Sequence, residues 1–265
     1  MQSDAFKLIF AAGLALVGTS ASAQDQDLAK QLSNPVASLI SLPFQFNYDS
    51  GFGSSDGHKT TLNIQPVVPF SISEDWNLIS RTIIPVVWQE DIAGESGSQS
   101  GLGDVLQSFF FSPKEPGPGG LIWGVGPVFL LPTATDELLG AEKWGLGPTA
   151  VVLKQNGPWT VGGLANHVWS VAGEDDRNDI SSTFLQPFVS YTTPTAWTFA
   201  LNTESTYDWK GEEWSVPINM MISKVTNISG QPISFQAGAR YWADAPENGA
   251  EDWGVRASIT MLYPK

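Results

Sequence analysis

Alternation between apolar and polar side chains is the feature that most restricts the fold of this chain. In residues 42–48, Leu, Phe and Tyr alternate with Pro, Gln and Asn, and residues 216–223, 233–241 and 255–263 repeat the pattern. Successive side chains of a β-strand point to opposite faces, so each segment presents one apolar face and one polar or small face. The pattern therefore predicts an all-β chain.

The spacing of these segments predicts an up-and-down barrel of about 12 strands. The predicted strands are 38–48, 60–72, 76–88, 103–112, 121–133, 144–154, 159–171, 181–192, 197–207, 214–225, 232–242 and 253–263. Short connections alternate with longer ones, and the longer set carries most of the acidic residues. This is typical of a barrel with short turns at one end and long loops at the other.

The chemistry of the two faces favours a transmembrane antiparallel β-barrel over a soluble sandwich. Only 15% of the residues are charged, compared with about 25% in soluble domains. The faces opposite the apolar ones carry mainly Gln, Asn, Ser and Thr, whereas a polar face in bulk water should carry Lys and Glu. The predicted strand length of roughly 11 residues also suits a tilted membrane crossing.

The tryptophans lie at or near the predicted strand ends. An indole ring prefers the lipid–water interface, where the ring is in the apolar layer and the N–H is hydrated. We therefore predict two interfacial aromatic belts. Their members are Trp76, Trp88, Trp123, Trp144, Trp159, Trp169, Trp197, Trp209, Trp214, Trp242 and Trp253.

Amide and arginine side chains on the inner faces are the candidates for setting selectivity. If strand 232–242 shifted by one position, Arg240 would face lipid, at a cost of about 2–4 kcal/mol near the bilayer midplane. The alternative for each arginine is an interfacial position from which its long side chain reaches the headgroups. An interior of amides with a few arginines should disfavour cations. The predicted lumen set is Gln65, Arg81, Gln186, Gln236, Arg240 and Arg256.

The first 23 residues have the pattern of a cleaved signal peptide. An apolar run at 8–17 precedes Ala21-Ser22-Ala23, which fits an A-x-A cleavage site. The run is too short to span a bilayer; the alternative is a buried N-terminal helix. Residues 24–36 are then a short periplasmic segment, which lies across the barrel mouth or leads directly into the first strand. Residues 37–265 form the barrel domain.

Short motifs follow one another along most of the predicted mature chain. They are DLAK at 27–30, NPVASLIS at 34–41, LPFQ at 42–45, NIQP at 63–66, GLGD at 101–104, WGVGP at 123–127, LPTAT at 131–135, WGLGP at 144–148, NHVWS at 166–170 and LQPF at 185–188. In these motifs the chain resembles the bacterial outer-membrane "transporter" family tied by name to the MetA pathway of phenol degradation, often mislabelled neuromedin U. The resemblance implies an outer-membrane barrel that moves aromatic or other small hydrophobic compounds.

The predicted function is a channel or facilitator for small, including aromatic or hydrophobic, compounds in the outer membrane of a Gram-negative bacterium. No chemistry, cofactor or metal site is expected. The expected partners are outer-membrane lipid and lipopolysaccharide, the barrel-assembly machinery and an unidentified small molecule. The C-terminus departs from the usual terminal aromatic residue, since Pro264-Lys265 follows Tyr263. With 27 acidic and 13 basic residues, nucleic-acid binding is disfavoured.

Two alternatives belong to other functional classes. The first is an outer-membrane barrel enzyme that hydrolyses lipid or peptide. His167 and Ser170 lie three residues apart, which places them on opposite faces of a strand and argues against a catalytic dyad. The second is a secreted soluble β-sandwich that binds a ligand through surface tryptophans.

Overall fold

The computed structural model describes residues 23–264, so the predicted signal peptide lies outside the described residues except for Ala23. A helix covers residues 23–32, and a single 3-10 turn covers Pro118–Gly120. The strands are β1 Ile40–Phe52, β2 Gly57–Ile64, β3 Val67–Ser71, β4 Trp76–Glu90, β5 Ser98–Leu102, β6 Val105–Pro113, β7 Leu121–Leu131, β8 Lys143–Asn156, β9 Trp159–Gly173, β10 Ser181–Thr192, β11 Trp197–Thr203, β12 Ser205–Asp208, β13 Glu213–Ile228, β14 Gln231–Asp244 and β15 Trp253–Tyr263. Within residues 23–264, no helix has both the length and the apolar character needed to cross a bilayer.

These strands form a closed antiparallel barrel with 12 crossings. Three crossings are each made of two strands, namely β2 with β3, β5 with β6, and β11 with β12. Every crossing pairs with its neighbours in sequence, and β1 pairs with β15 from Ile40 opposite Tyr263 to Tyr48 opposite Val255. The closed circle confirms the predicted barrel and excludes the two-sheet sandwich.

Prolines account for the three interrupted crossings. Gln65 and Pro66 separate β2 from β3. Pro85 in β4 lies opposite the break between β5 and β6, where its carbonyl accepts a hydrogen bond from Gly103 N at 2.9 Å. Pro217 follows a register shift in β13, and its carbonyl accepts a hydrogen bond from Glu204 N at the break between β11 and β12. Because proline has no N–H for the ladder, pairing is interrupted there without opening the barrel.

The two ends of the barrel differ in their connections. At one end, the turn end, the connections are short, and β13 joins β14 through Ser229 and Gly230, which both have positive φ, as in the hairpin turns that match strand twist. The described N-terminal residues enter at this end. The other end, the loop end, carries the longer connections, the longest of which covers residues 132–142.

The turn-end half of the interior is a packed apolar core built around the N-terminal segment, residues 23–39. Leu28 and Ala29 are buried together with wall residues, including Val225 and Leu262. Val36 is buried in a second cluster that includes Ile79, Phe110, Val151, Leu153 and Leu164. The N-terminal segment therefore lies within the barrel mouth and fills it, and does not simply lead into β1.

Candidate functional site

A chamber of about 470 Å³ lies in the barrel interior, and its wall carries both apolar and polar side chains. Apolar side chains line it from five crossings: Ile83, Leu106, Leu130, Val168 and Phe184. Ile83 is paired with Leu106, and Leu106 with Leu130, so these three form a continuous row, the apolar ladder. Polar side chains line the rest of the wall, including Gln45, Asn63, Gln65, Asn202 and Gln236, and Asn166 and Ser182 lie beside Val168 and Phe184 on β9 and β10.

Arg256 and Glu204 form an ion pair across the chamber. Arg256 Nη1 and Nη2 donate to Glu204 Oε1 and Oε2 at 2.8 and 2.7 Å, and Arg256 Nε donates to Asn47 Oδ1 at 2.7 Å. Arg256 is only 2% exposed. Its strand, β15, is separated from Glu204 by β13 and β14, so the pair bridges the interior. The charge of Arg256 is therefore already matched by a carboxylate.

A second charged group lies closer to the loop end. Asp49 accepts hydrogen bonds from Arg240 Nη1 at 3.4 Å and from Trp242 Nε1 at 2.9 Å. The Arg240 guanidinium lies 4.6 Å from the centroid of the Trp242 ring, and Lys59 is directly opposite Asp49 across β1 and β2. Gly254 pairs with Arg240 and leaves the space for this contact, because a Cβ there would lie 2.6 Å from Asp49 Oδ1.

Arg81 has the fewest partners of the three interior arginines. Its Nη2 donates to Gln65 Oε1 at 3.4 Å, and the part of the chain that the structure describes supplies no shorter polar contact to its guanidinium. A guanidinium carries five N–H donors. Arg81 lines both the chamber and a smaller cavity beside the N-terminal segment. It therefore presents uncommitted donors where the chamber meets that segment.

Further cavities extend from the chamber towards both ends of the barrel. On the loop side, a cavity of about 550 Å³ shares Ile180, Ser182 and Thr206 with the chamber and is also lined by three aspartates. On the turn side, two cavities of about 190 and 180 Å³ share Gln186 with the chamber and run along the N-terminal segment. The interior is thus a series of compartments, and the N-terminal segment is the obstruction on the turn side.

The loop at residues 132–142 folds back onto the barrel and is held by Asp104. The Asp104 carboxylate accepts hydrogen bonds from Ala134 N at 3.1 Å and from Ala141 N at 2.7 Å, near the two ends of the loop. Leu139 in this loop is buried and packs over Gly101, where a Cβ would come within 3.2 Å of Leu139 Cδ1. The GLGD motif at 101–104 therefore supplies both the space and the anchor for this loop.

Asp104→Ala should release this loop. Hydrogen bonds to a charged group contribute about 1.5–3 kcal/mol each, so cleavage by a protease specific for glutamate at Glu137 or Glu142 should accelerate about tenfold or more. Asp175→Ala, which removes a carboxylate from the neighbouring loop, is the matched control and should leave the rate unchanged. Equal cleavage rates for Asp104→Ala and the unmodified protein would show that the loop does not depend on this anchor.

The tryptophans are distributed over both ends of the barrel, and one departs from the predicted belts. Trp76, Trp123, Trp159 and Trp197 lie on the outer surface near the turn end, and Trp88, Trp144, Trp169, Trp209, Trp214 and Trp253 lie on the outer surface near the loop end. Trp242 instead points inward, where its N–H donates to Asp49. Side chains alternate between the two faces of β14, so Trp242 lies on the face opposite the outward-facing Tyr241 and on the same face as Arg240.

His167 lies on the outer face of β9, away from the chamber. Its Nδ1 is 2.7 Å from Thr183 Oγ1, and its Nε2 is 3.5 Å from Ser181 Oγ. Ser170 is engaged elsewhere, since its hydroxyl donates to Asp179 Oδ1 at 3.1 Å. Among residues 23–264, no carboxylate contacts the His167 ring. The described residues also contain no group of three histidine or acidic side chains arranged as metal ligands.

The structure places all six sequence-predicted lumen residues in the interior, but not as one cluster. Gln65, Arg81, Gln186, Gln236 and Arg256 line the chamber, whereas Arg240 lies outside its lining and contacts Asp49. Sequence reasoning missed the two carboxylates, Asp49 and Glu204, that neutralise Arg240 and Arg256. The sequence contains a signal for Glu204, because Asn202, Glu204 and Thr206 are spaced two residues apart and therefore share one polar face of the strand. The interior is therefore less cationic than the arginines alone indicate.

The comparisons with known proteins place the fold among outer-membrane barrels. No family model and no curated protein matches the chain. The structure is similar to the COG4313 outer membrane channel from Pseudomonas putida F1, at 15% sequence identity and a TM-score of 0.67, with 85% of this chain and 96% of that chain covered. The NanC porin matches at 11% identity and a TM-score of 0.50, over 85% of this chain and 100% of that chain.

An enzyme with a barrel fold also matches, more weakly. Outer membrane phospholipase A from Escherichia coli is 11% identical with a TM-score of 0.48, over 84% of this chain and 90% of that chain. At these identities the similarities concern the fold alone. The residues of the chamber must therefore carry any argument about function.

Proposed function

We propose that the protein is a channel or facilitator for small molecules in the outer membrane of a Gram-negative bacterium and that it carries out no chemistry. The main support is the chamber, which lies inside a closed barrel and adjoins cavities towards both ends. A closed wall satisfies the strand hydrogen bonds and leaves no sheet edge, as a lipid environment requires. Polar groups lining such a passage would act by size and charge.

The orientation follows from the two ends of the barrel. Short turns of outer-membrane barrels face the periplasm and long loops face outward, so the N-terminal segment lies at the periplasmic mouth and residues 132–142 lie outside. The apolar outer surface would contact outer-membrane lipid, and the acidic loops would lie beside lipopolysaccharide. Insertion would use the barrel-assembly machinery, with β15 as the last strand.

The substrate class extends this proposal. The apolar ladder supports transport of compounds with a hydrophobic part, including aromatic ones. We also propose membership of the MetA-pathway family, on the order of the motifs quoted above. Two of those motifs, GLGD at 101–104 and LPTAT at 131–135, contact each other, since Leu102 N donates to Thr135 Oγ1 and Thr133 Oγ1 donates to Gly103 O.

Reconstitution tests the channel directly. We expect unboiled protein in detergent to migrate faster on a gel than boiled protein, and the same preparation to give discrete conductance steps in planar bilayers. The steps should be small, because the interior is divided by the Arg256–Glu204 pair and the N-terminal segment. Boiled protein and protein-free bilayers are the controls. A preparation that shows the compact form but neither conducts nor admits small solutes into liposomes would contradict a channel.

A further inference from the structure

Arg81 is the interior arginine with the fewest direct contacts to other side chains. Arg256 is matched by Glu204 in a two-point ion pair, and Arg240 is matched by Asp49. Arg81 has only the long bond to Gln65 among the described residues. Arginine binds carboxylates through two parallel N–H···O bonds. Glu204 attracts Arg81 without a direct contact, so the N–H donors of Arg81 remain open to an anionic group of a ligand.

The apolar ladder begins beside this cation. Arg81 and Ile83 are two residues apart on β4, so both side chains point into the interior, about 7 Å apart along the strand. Leu106 and Leu130 continue the apolar surface around the wall from Ile83, and Phe184 and Val168 also face the chamber. A small molecule can therefore contact the guanidinium with one end and the ladder with the other.

We infer that the chamber selects amphipathic monocarboxylates, with the carboxylate on Arg81 and the apolar body against the row of Ile83, Leu106 and Leu130. The inference rests on the proposed channel function and names its substrate class. Gln65 and Gln186 line the chamber and the cavity beside it together with Arg81. Their amides carry both donors and acceptors and can complete the carboxylate site.

The same geometry disfavours two related classes of molecule. A neutral analogue of the same shape fills the apolar side but leaves the Arg81 donors without an anionic acceptor. A dicarboxylate places its second charge either against the apolar ladder or towards Glu204, and both positions are unfavourable for an anion. The chamber should therefore bind a monocarboxylate more tightly than a neutral analogue or a dicarboxylate of similar shape.

Binding of three matched probes to the full mature protein in detergent tests the inference by calorimetric titration. The probes are benzoate, benzamide and terephthalate, which share the ring and differ in charge. We expect benzoate to bind about tenfold more tightly than the other two, which corresponds to about 1.4 kcal/mol. Equal affinity for benzoate and benzamide, or for benzoate and terephthalate, would overturn the inference.

Arg81→Gln identifies the residue responsible. This variant should lose about tenfold in benzoate affinity while its affinity for benzamide is unchanged. Arg81→Lys keeps the positive charge but cannot donate two parallel hydrogen bonds. Its benzoate affinity should therefore lie between those of Arg81→Gln and the unmodified protein. Lys210→Gln, in a loop outside the chamber, should bind benzoate normally. Unchanged benzoate affinity in Arg81→Gln would show that Arg81 does not bind the carboxylate. If a variant does not fold, the comparison of the three probes in the unmodified protein still tests the inference.

Conductance in potassium chloride separates this inference from the channel proposal. A protein that conducts but binds the three probes equally is a channel without the proposed selectivity. A protein that discriminates the probes through Arg81 but neither conducts nor takes up solutes retains the binding site and loses the channel function.

Discussion

Arg256→Gln is expected to lower the free energy of unfolding by about 3 kcal/mol, because it leaves a largely buried carboxylate without its partner. The figure is at the lower end of the range for broken buried pairs, since the Glu204 side chain is 21% exposed. The substitution also removes Arg256 Nε, which donates a hydrogen bond to the side-chain oxygen of Asn47. Urea unfolding of the reconstituted barrel, followed by tryptophan fluorescence, measures the change.

The double variant Glu204→Gln/Arg256→Gln separates the pair from its surroundings. It removes both charges and keeps groups that can hydrogen-bond, so it should regain most of the stability lost in Arg256→Gln. Arg256→Gln alone should also shift ion selectivity towards cations, because Glu204 then faces the chamber without its hydrogen-bonded partner. The single variant Glu204→Gln completes the comparison. If the stability lost in the double variant equals the sum of the losses in Arg256→Gln and Glu204→Gln, then Arg256 and Glu204 do not act as a pair.

Deletion of residues 24–36 is expected to raise single-channel conductance about twofold or more, since pore dimensions control conduction. The deleted residues include Leu28 and Ala29, each 3% exposed, and Val36, 5% exposed, which fill the turn end of the lumen. The barrel should remain closed, because its ladder of strand pairs does not include this segment. Single-channel recording of the reconstituted variant gives the comparison.

A substitution variant distinguishes loss of the obstruction from damage to the barrel. Leu28→Ser/Val36→Ser retains the N-terminal segment but weakens its packing, so the current should fluctuate between the level of the unmodified protein and that of the deletion variant. Heat modifiability on gels should show that both variants keep the compact form. Unchanged conductance in a compact deletion variant would show that the segment does not limit the pore.

The barrel could be predicted from the sequence because alternation is a local property. The prediction of 232–242 corresponds to β14, Gln231–Asp244, and the prediction of 181–192 matches β10. The breaks do not show in the alternation itself, because it continues through Glu204 while the missing N–H belongs to Pro217 on the neighbouring strand. Alternation thus reports the face of a residue but not the continuity of the ladder on which it lies.

The site was predicted less completely, since its charges depend on partners far apart in sequence. Asp49 falls just outside the predicted strand 38–48, yet β1 continues to Phe52 and carries Asp49 into the interior. Trp242 was grouped with the belts by its position near a strand end, although its phase places it beside Arg240. The loop at 132–142 and the N-terminal segment are held by long-range contacts, which no local pattern specifies.

The position of the N-terminal segment has a consequence for how its occupancy would respond to other molecules. The segment is covalently joined to β1 at the mouth that it fills, so its entry and exit form a unimolecular equilibrium that does not depend on protein concentration. A short tether corresponds to an effective concentration of roughly millimolar. A synthetic peptide of residues 24–36 should therefore equal the occupancy of the tethered segment only when its free concentration in the deletion variant approaches that level, and a competitor present below that level must bind the intact protein more tightly than the segment itself.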